Sequence, residues 1–277
     1  MRQSRTRMIA LYGKGGIGKS TVAANLSASL ALRGLKVLHV GCDPKHDSTM
    51  TLVDGGPVRT VIRQLASRVA SPADIVMRGR LGLDLIECGG PEPGVGCGGR
   101  GVSKMFEVLD ELDLIAAGGY DVAIFDVLGD VVCGGFAAPL KQGRAELVYI
   151  VVDDGVMALF AANNIARALR RFASNGIALG GLIVNRVDES TPVAAMERFA
   201  SELSTKVIAW VPRDPVVRKA EVLRRPVVDL SPQSNVTRVI EELASRILAD
   251  SAEAHPLPTP IDESRFDEFI RDTFGSD

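Results

Sequence analysis

The sequence contains no run of about 18 or more apolar residues, the length that a membrane-spanning helix requires. Its first stretch, Met1 to Arg7, is too short and too polar for a signal peptide. Cysteine is scarce, with Cys42, Cys88, Cys97 and Cys133 the only four in 277 residues. That excludes a disulfide-stapled scaffold at this length, so the expectation is a cytoplasmic protein whose reduced thiols are available for metal. Excess charge is lacking as well. A formal net charge of −2 gives no electrostatic basis for nucleic acid as the main partner, and no membrane partner is expected. No internal repeat or low-complexity tract interrupts the chain.

What is present is ample core material. With 46% apolar and 24% charged side chains, the chain can bury a full core as one domain. Apolar runs at residues 8–12, 36–40, 83–86, 122–125, 147–152, 182–184 and 207–211 read as seven strands. Helical periodicity falls between them, at 58–69, 102–115, 157–172, 193–203 and 235–249. The alternation predicts an α/β fold with a mostly parallel sheet covered by helices on both faces. Two prolines and no apolar periodicity in 252–259 divide a unit, 1–251, from a C-terminal tail, 252–277, whose Phe266, Phe269, Ile270 and Phe274 could dock a short helix.

Ligands of such sheets bind beyond the carboxyl ends of the strands, and the unusual segments of this chain fall there. After the first strand comes Gly13-Lys14-Gly15-Gly16-Ile17-Gly18-Lys19-Ser20-Thr21, followed by Val22, Ala23, Leu26 and Leu30 at helical spacing. This is a phosphate loop: glycines let the backbone curl its N–H groups toward a polyphosphate, and the following helix adds its positive end. Lys19 would reach the β- and γ-phosphates and Ser20 would ligate Mg²⁺. The same residues also spell Gly13-x-Gly15-x-x-Gly18 with Asp43 downstream, the dinucleotide fingerprint, but that chemistry has no need of Lys19-Ser20. The fold class is therefore that of a P-loop nucleoside triphosphatase. Lys14, a second lysine inside the loop, is otherwise a solvated loop residue.

Asp126 ends the fourth strand, where a carboxylate would hold Mg²⁺ through water; an Asp there is also a common turn residue. Asp43 and Asp47 share the loop 42–49, one suited to the metal's water shell and the other to sensing the γ-phosphate, with a capped turn as the plain alternative. Cys97 and Cys133 each lie among glycines, in Gly94-Val95-Gly96-Cys97-Gly98-Gly99 and Val131-Val132-Cys133-Gly134-Gly135. Such surroundings admit a bulky ligand and leave N–H groups for sulfide. Neither belongs to a C-x-x-C pair. Two thiolates per chain satisfy a 4Fe-4S cluster if two chains meet on a two-fold axis; a four-cysteine site in one chain or plain buried cysteines are the alternatives. Cys42 and Cys88 read as small core or loop residues.

At this point the chain resembles the iron proteins of nitrogenase and of nitrogenase-like complexes, including the ATP-binding subunit of dark-operative protochlorophyllide reductase. The likeness spans roughly 8–248 and rests on the phosphate loop, on residues 42–49, on 89–102 including Pro91-Glu92-Pro93-Gly94-Val95-Gly96-Cys97, on 126–136, and on Pro212-Arg213-Asp214. It implies a homodimer with one 4Fe-4S cluster held by Cys97 and Cys133 of both subunits and one MgATP in each. It implies that Lys14 reaches across to the partner's nucleotide, that Asp43 and Asp126 lie near the metal, and that Asp130 positions the attacking water. Asn185 and Pro212-Arg213-Asp214 match the adenine-binding positions, and Arg100 lies beside the cluster on the face that meets a separate catalytic component. A ferredoxin or flavodoxin would supply the electrons. The short path from Asp126 to Cys133 would couple nucleotide to cluster.

The subfamily signals are mixed. His46 and Ala137-Ala138-Pro139-Leu140 resemble the protochlorophyllide reductase subunit, whereas Pro91 to Cys97, Met157 to Ile165 and Pro212-Arg213-Asp214 resemble the nitrogenase iron protein. Met50 stands where nitrogenase usually has arginine, and Asp153-Asp154 departs from both. The mixture suggests a reductase for another catalytic partner, such as methylthio-alkane reductase. Readings of other classes are a cluster-free partition or scaffold ATPase and a cluster-assembly ATPase.

Overall fold

In the computed structural model, which describes residues 6–66, 71–90, 98–129, 137–141 and 144–275, every apolar run expected to be a strand is one. In chain order the elements are β1 (Arg7–Tyr12), α1 (Lys19–Leu32), β2 (Val37–Gly41), α2 (Val61–Ala66), α3 (Pro72–Ile75), β3 (Met77–Arg78) and β4 (Asp84–Glu87). There follow α4 (Gly98–Glu111), α5 (Leu114–Gly118), β5 (Val122–Asp126), α6 (Ala138–Lys141), β6 (Leu147–Val152), α7 (Val156–Phe172) and β7 (Ala178–Val187). The chain continues through α8 (Val193–Glu202), β8 (Val207–Pro212), α9 (Pro215–Val222), α10 (Val227–Leu230), α11 (Asn235–Ala249) and α12 (Glu263–Phe274).

Among the described residues the sheet has eight strands in the order β3-β4-β2-β5-β1-β6-β7-β8. Every described pairing is parallel except that of β3 with β4 at one edge. Strands β2, β5 and β6 are buried along their whole length, as a parallel sheet covered on both faces requires. Helices α1, α10 and α11 pack together in one layer, and α4, α6, α7, α8 and α12 pack in another. The chain leaves β1 toward β2 on one side and reaches β6 on the other, so the carboxyl end of β1 is a switch point where a crevice opens.

Differences from expectation have local causes. The helix expected over 102–115 begins earlier and breaks at Asp113, whose φ of 45° is left-handed and separates α4 from α5. The helix expected over 58–69 is described only as α2, with residues 67–70 outside the described set. Strand β7 starts four residues before the expected run. Its Gly180 and Gly181 hide the apolar signal, and a Cβ at Gly180 would collide with the Tyr149 ring on β6.

The segment after α11 folds back on its own chain. Phe266 meets Phe160 of α7 edge-on at 5.4 Å, and Phe269 lies 6.2 Å from Phe199 of α8. Buried Asn163 of α7 donates from Nδ2 to the Ile261 carbonyl at 2.8 Å and accepts from the Ile261 N–H at 2.7 Å. Together these contacts seat the last helix on the second helical layer.

Candidate functional site

Strand β1 delivers residues 13–18 to the crevice at the switch point. Gly16 and Gly18 both have φ of 87°, a conformation that costs a side-chain-bearing residue energy. Gly18 is the N-cap of α1 and brings no side-chain cap, which leaves the N–H groups of the first turn directed at the crevice. The loop is held from behind. Asn185 Nδ2 donates to the Ile17 carbonyl at 2.6 Å, and Arg186 donates to the Gly16 carbonyl at 2.7 Å. A Cβ at Gly18 would strike the Asn185 amide, and one at Gly13 would strike the Val151 carbonyl.

At the floor of the crevice Lys19 forms a buried ion pair with Asp126. Ser48 Oγ donates to the other Asp126 oxygen at 2.5 Å. Burial alone would raise the Asp126 pKa, but the Lys19 ammonium and hydrogen bonds from Lys19, Ser20 and Ser48 outweigh it and hold the carboxyl below its usual value. Asp43 is nearly buried at the start of the loop 42–49, whose first N–H, that of Cys42, donates to the Asp126 carbonyl at 2.9 Å. Its Oδ1 accepts from Lys45 N–H at 2.9 Å, so the capped turn is present. Asp47 is exposed. Ser20, Asp43 and Asp126 supply hard oxygen donors at the foot of a polyphosphate cradle, a set that suits Mg²⁺. Lys14 is half-buried, and its backbone N is one of the atoms that a Cβ at Gly129 would crowd.

Beside the loop lies a cavity of about 810 Å³ lined by Gly18, Thr21, Asn185, Pro212, Arg213 and Asp214, among others. The structure thus brings the expected base-binding residues into one pocket next to the phosphate loop. Three of them have partners already: Asn185 through the Ile17 carbonyl, Asp214, whose Oδ1 caps α9 through Val216 N–H at 2.8 Å, and Arg213, which lies 3.5 Å from Asp188.

Two buried polar residues near this floor, His39 and Glu87, carry no sequence motif. His39 on β2 bridges Ser27 and Ser48, each at 2.8 Å. Glu87 ends β4 and accepts from Thr49 N–H at 2.7 Å, while its other oxygen has no partner among the described residues. Gly41 makes room for it, because a Cβ there would overlap the carboxylate. Burial pushes the Glu87 pKa up to about 8, the Thr49 hydrogen bond opposing and Asp126 and Asp47 adding. Only their polarity inside apolar strand runs could have pointed to His39 and Glu87.

Cys97, Cys133 and Asp130 lie outside the described residues; Arg100 is exposed on α4. Among the described residues no group of three or more His, Cys, Asp and Glu could hold a metal. Cys42 and Cys88 are buried at neighbouring strand ends, where Cys88 N–H donates to the Gly41 carbonyl at 2.8 Å. Burial, and then the other thiol, pushes Cys42 far above its ordinary value; burial, Glu87 and Asp43 push Cys88 up to about 12. Thiols so placed resist forming the thiolates that iron needs. Neither Cys42 nor Cys88 therefore suits a cluster.

A family model for 4Fe-4S iron sulfur cluster binding proteins, the NifH/frxC family, matches residues 7–275. The chain belongs to this family. A nitrogenase iron protein of Methanospirillum hungatei JF-1 is 43% identical over 263 residues, 93% of each chain. Among solved structures, the cell division ATPase MinD of Pyrococcus furiosus matches with a TM-score of 0.72 at 24% identity, over 88% of this chain and 99% of that one. The septum site-determining protein MinD of Pyrococcus horikoshii OT3, solved with Mg-ADP, matches at 0.71 and 25%, over 88% and 98%. These neighbours bear out the P-loop ATPase fold. Family membership makes the chain an ATP-dependent iron protein, with a 4Fe-4S cluster and MgATP as its cofactors and a dimer working with a catalytic component as its setting. No helix among the described residues is long and apolar enough to cross a membrane.

In this iron protein, glycines join the nucleotide loops to the segments that carry the outlying cysteines. A Cβ at Gly129, just before residues 130–136, would collide with the Gly13 carbonyl. Gly90 and Gly98 bracket residues 91–97, and a Cβ at either would come within 2.7 Å and 2.5 Å of the Pro44 ring.

Proposed function

We propose that this chain is the electron-donating component of a nitrogenase-like complex, passing single low-potential electrons to a separate catalytic protein at the expense of MgATP. The observation that carries it is the pair of close contacts just described. Gly129 abuts the phosphate loop, and Gly90 and Gly98 abut Pro44 of the loop 42–49. A shift at the nucleotide therefore presses on both cysteine-bearing segments, as a two-state switch requires.

In this reading the N–H groups of residues 13–18 with Lys19 and Thr21 bind the polyphosphate. Ser20, Asp43 and Asp126 serve the magnesium, while Asp47 responds to the γ-phosphate. Asp130 orients the attacking water and Lys14 reaches the partner subunit's nucleotide. Asn185, Pro212, Arg213 and Asp214 line the base pocket. Cys97 and Cys133 of two chains hold one cluster, which when bound stores the electron. Arg100, exposed at the start of α4, marks the face that docks the catalytic component, and a ferredoxin or flavodoxin in the cytoplasm reloads the dimer. Residues 1–251 form the ATPase and iron-sulfur unit, and 252–277 a tail seated on it.

The mixed motifs favour a system other than nitrogenase, such as methylthio-alkane reductase. The 43% identity to a protein named nitrogenase iron protein favours nitrogenase itself as the second reading. The test is to mix dithionite-reduced protein with each purified catalytic component and follow cluster reoxidation by absorbance, with and without MgATP. Reoxidation dependent on MgATP with the methylthio-alkane reductase component alone is the expected result. Reoxidation only with nitrogenase would give the second reading, and MgATP-independent reoxidation by all of them would refute coupling.

A further inference from the structure

We propose that His39 is a positioning residue of the nucleotide site, which as a neutral imidazole orients Ser48 and through it the Asp126 carboxylate toward the magnesium of MgATP. The inference rests on the reading of this crevice as a MgATP site and adds to it a residue that no motif marks.

The hydrogen-bond directions follow from chemistry. Asp126 is ionised beside Lys19, and a carboxylate only accepts. The single hydroxyl hydrogen of Ser48 therefore goes to Asp126 Oδ2 at 2.5 Å. Ser48 Oγ, 2.8 Å from His39 Nε2, must then accept from Nε2–H. With its hydrogen on Nε2, the neutral ring accepts at Nδ1, where Ser27 Oγ of α1 donates at 2.8 Å. The relay runs one way from Ser27 through His39 and Ser48 to Asp126, whose remaining oxygen meets Lys19. Ser27, His39 and Asp126 are fully buried, with Ser48 and Lys19 at 2% and 5% exposure, so water does not substitute for any link.

A ring charged at both nitrogens would break the direction, since Ser27 could no longer donate to it. Burial prevents that: it pushes the His39 pKa down to about 4, with Asp126 opposing and Lys19 reinforcing. The plain alternative is a core histidine whose two nitrogens are merely satisfied. It differs in one respect, because a core residue affects stability whereas a positioning residue affects how the site uses its metal.

The experiment measures the affinity of the cluster-loaded dimer for a fluorescent ADP with Mg²⁺ and with EDTA, and takes the ratio. For His39→Leu, which takes away the acceptor of Ser27 and the donor to Ser48 Oγ, the ratio should fall roughly tenfold or more while the metal-free affinity holds. His39→Gln, with one donor and one acceptor, should recover much of it. Ser48→Ala cuts the relay beyond His39 and should match His39→Leu, which keeps the test available if the leucine variant does not fold. A lowered melting temperature with an unchanged ratio in His39→Leu or Ser48→Ala would overturn the proposal. The ratio depends on neither the cluster nor electron transfer. Failure of the electron-donor reading would instead show as missing iron or an unreduced catalytic component, with the ratio intact. A wild-type protein indifferent to Mg²⁺ would overturn both.

Discussion

Glu87 shows how much a single buried carboxyl can set. Its folded-state pKa is raised from 4.5 to about 8, mainly by burial, so across that interval the folded protein keeps a proton that the unfolded chain releases. The associated stability is fully present below about pH 4.5 and is lost as pH rises through about 8. Relative to Glu87→Gln, the wild type should therefore lose stability over that window and level off above it. Melting temperatures of both proteins at pH 5.5 and pH 8.5 check this, and parallel curves would show that the carboxyl has found a partner. At Gly129 the constraint is steric. A methyl there has no room against the Gly13 carbonyl, so Gly129→Ala should abolish high-affinity nucleotide binding, measured by titration with fluorescent ADP. His39 and Glu87 were not legible in the sequence. A polar residue in an apolar strand gives no spacing to read, and its partners come from other strands and loops. The phosphate loop and Asp126 were legible because their chemistry is local, one loop and one strand end.

At the scale of elements, the sheet was readable because both faces of each parallel strand are apolar. The exceptions are instructive. β3 is a two-residue edge strand that among the described residues pairs only with β4, and β7 is obscured by Gly180 and Gly181, which admit Tyr149 and a close approach to β8. The tail was visible as aromatic periodicity, but its seat on α7 and α8 was not. That seat should be energetically significant. Phe266 is 3% exposed, and truncating a buried phenylalanine costs about 3 kcal/mol or more. Phe266→Ala should lower the denaturant midpoint by a corresponding amount and speed proteolysis in residues 252–260, while an unchanged midpoint would mean that α12 unfolds independently. The loops give a second expectation. In Gly98→Ala the new Cβ would lie 2.5 Å from the Pro44 ring and force it to move, so the cluster's magnetic resonance spectrum should cease to respond to MgATP although ATP still binds. A spectrum that still responds would place the coupling elsewhere.

At the scale of the whole molecule, a chain with two suitable cysteines needs a second copy to complete a four-thiolate site. Cys42 and Cys88 are poorly suited to stand in, since burial first, and then neighbouring thiol and carboxyl groups, raise their pKa values and disfavour the thiolate. The sequence marked Cys97 and Cys133 by their glycine surroundings; the family resemblance, not spacing, made them a pair across two subunits. Lys14 belongs to the same scale. If it serves the partner's nucleotide, Lys14→Gln should leave dimerisation and nucleotide affinity near wild type yet lower hydrolysis on the order of a hundredfold, by analogy with other cationic groups supplied in trans. Steady-state phosphate release checks it, and an undiminished rate would return Lys14 to the status of a solvated loop residue.

The most direct test of the electron-donor account is iron and acid-labile sulfide per dimer of anaerobically purified protein. It is measured for wild type and Cys97→Ser, together with electron paramagnetic resonance after dithionite reduction. The account predicts about four irons and four sulfides per dimer and a reduced-cluster signal that the variant loses. An iron-free dimer that still hydrolyses ATP would contradict it and leave a nucleotide-switched scaffold as the better description.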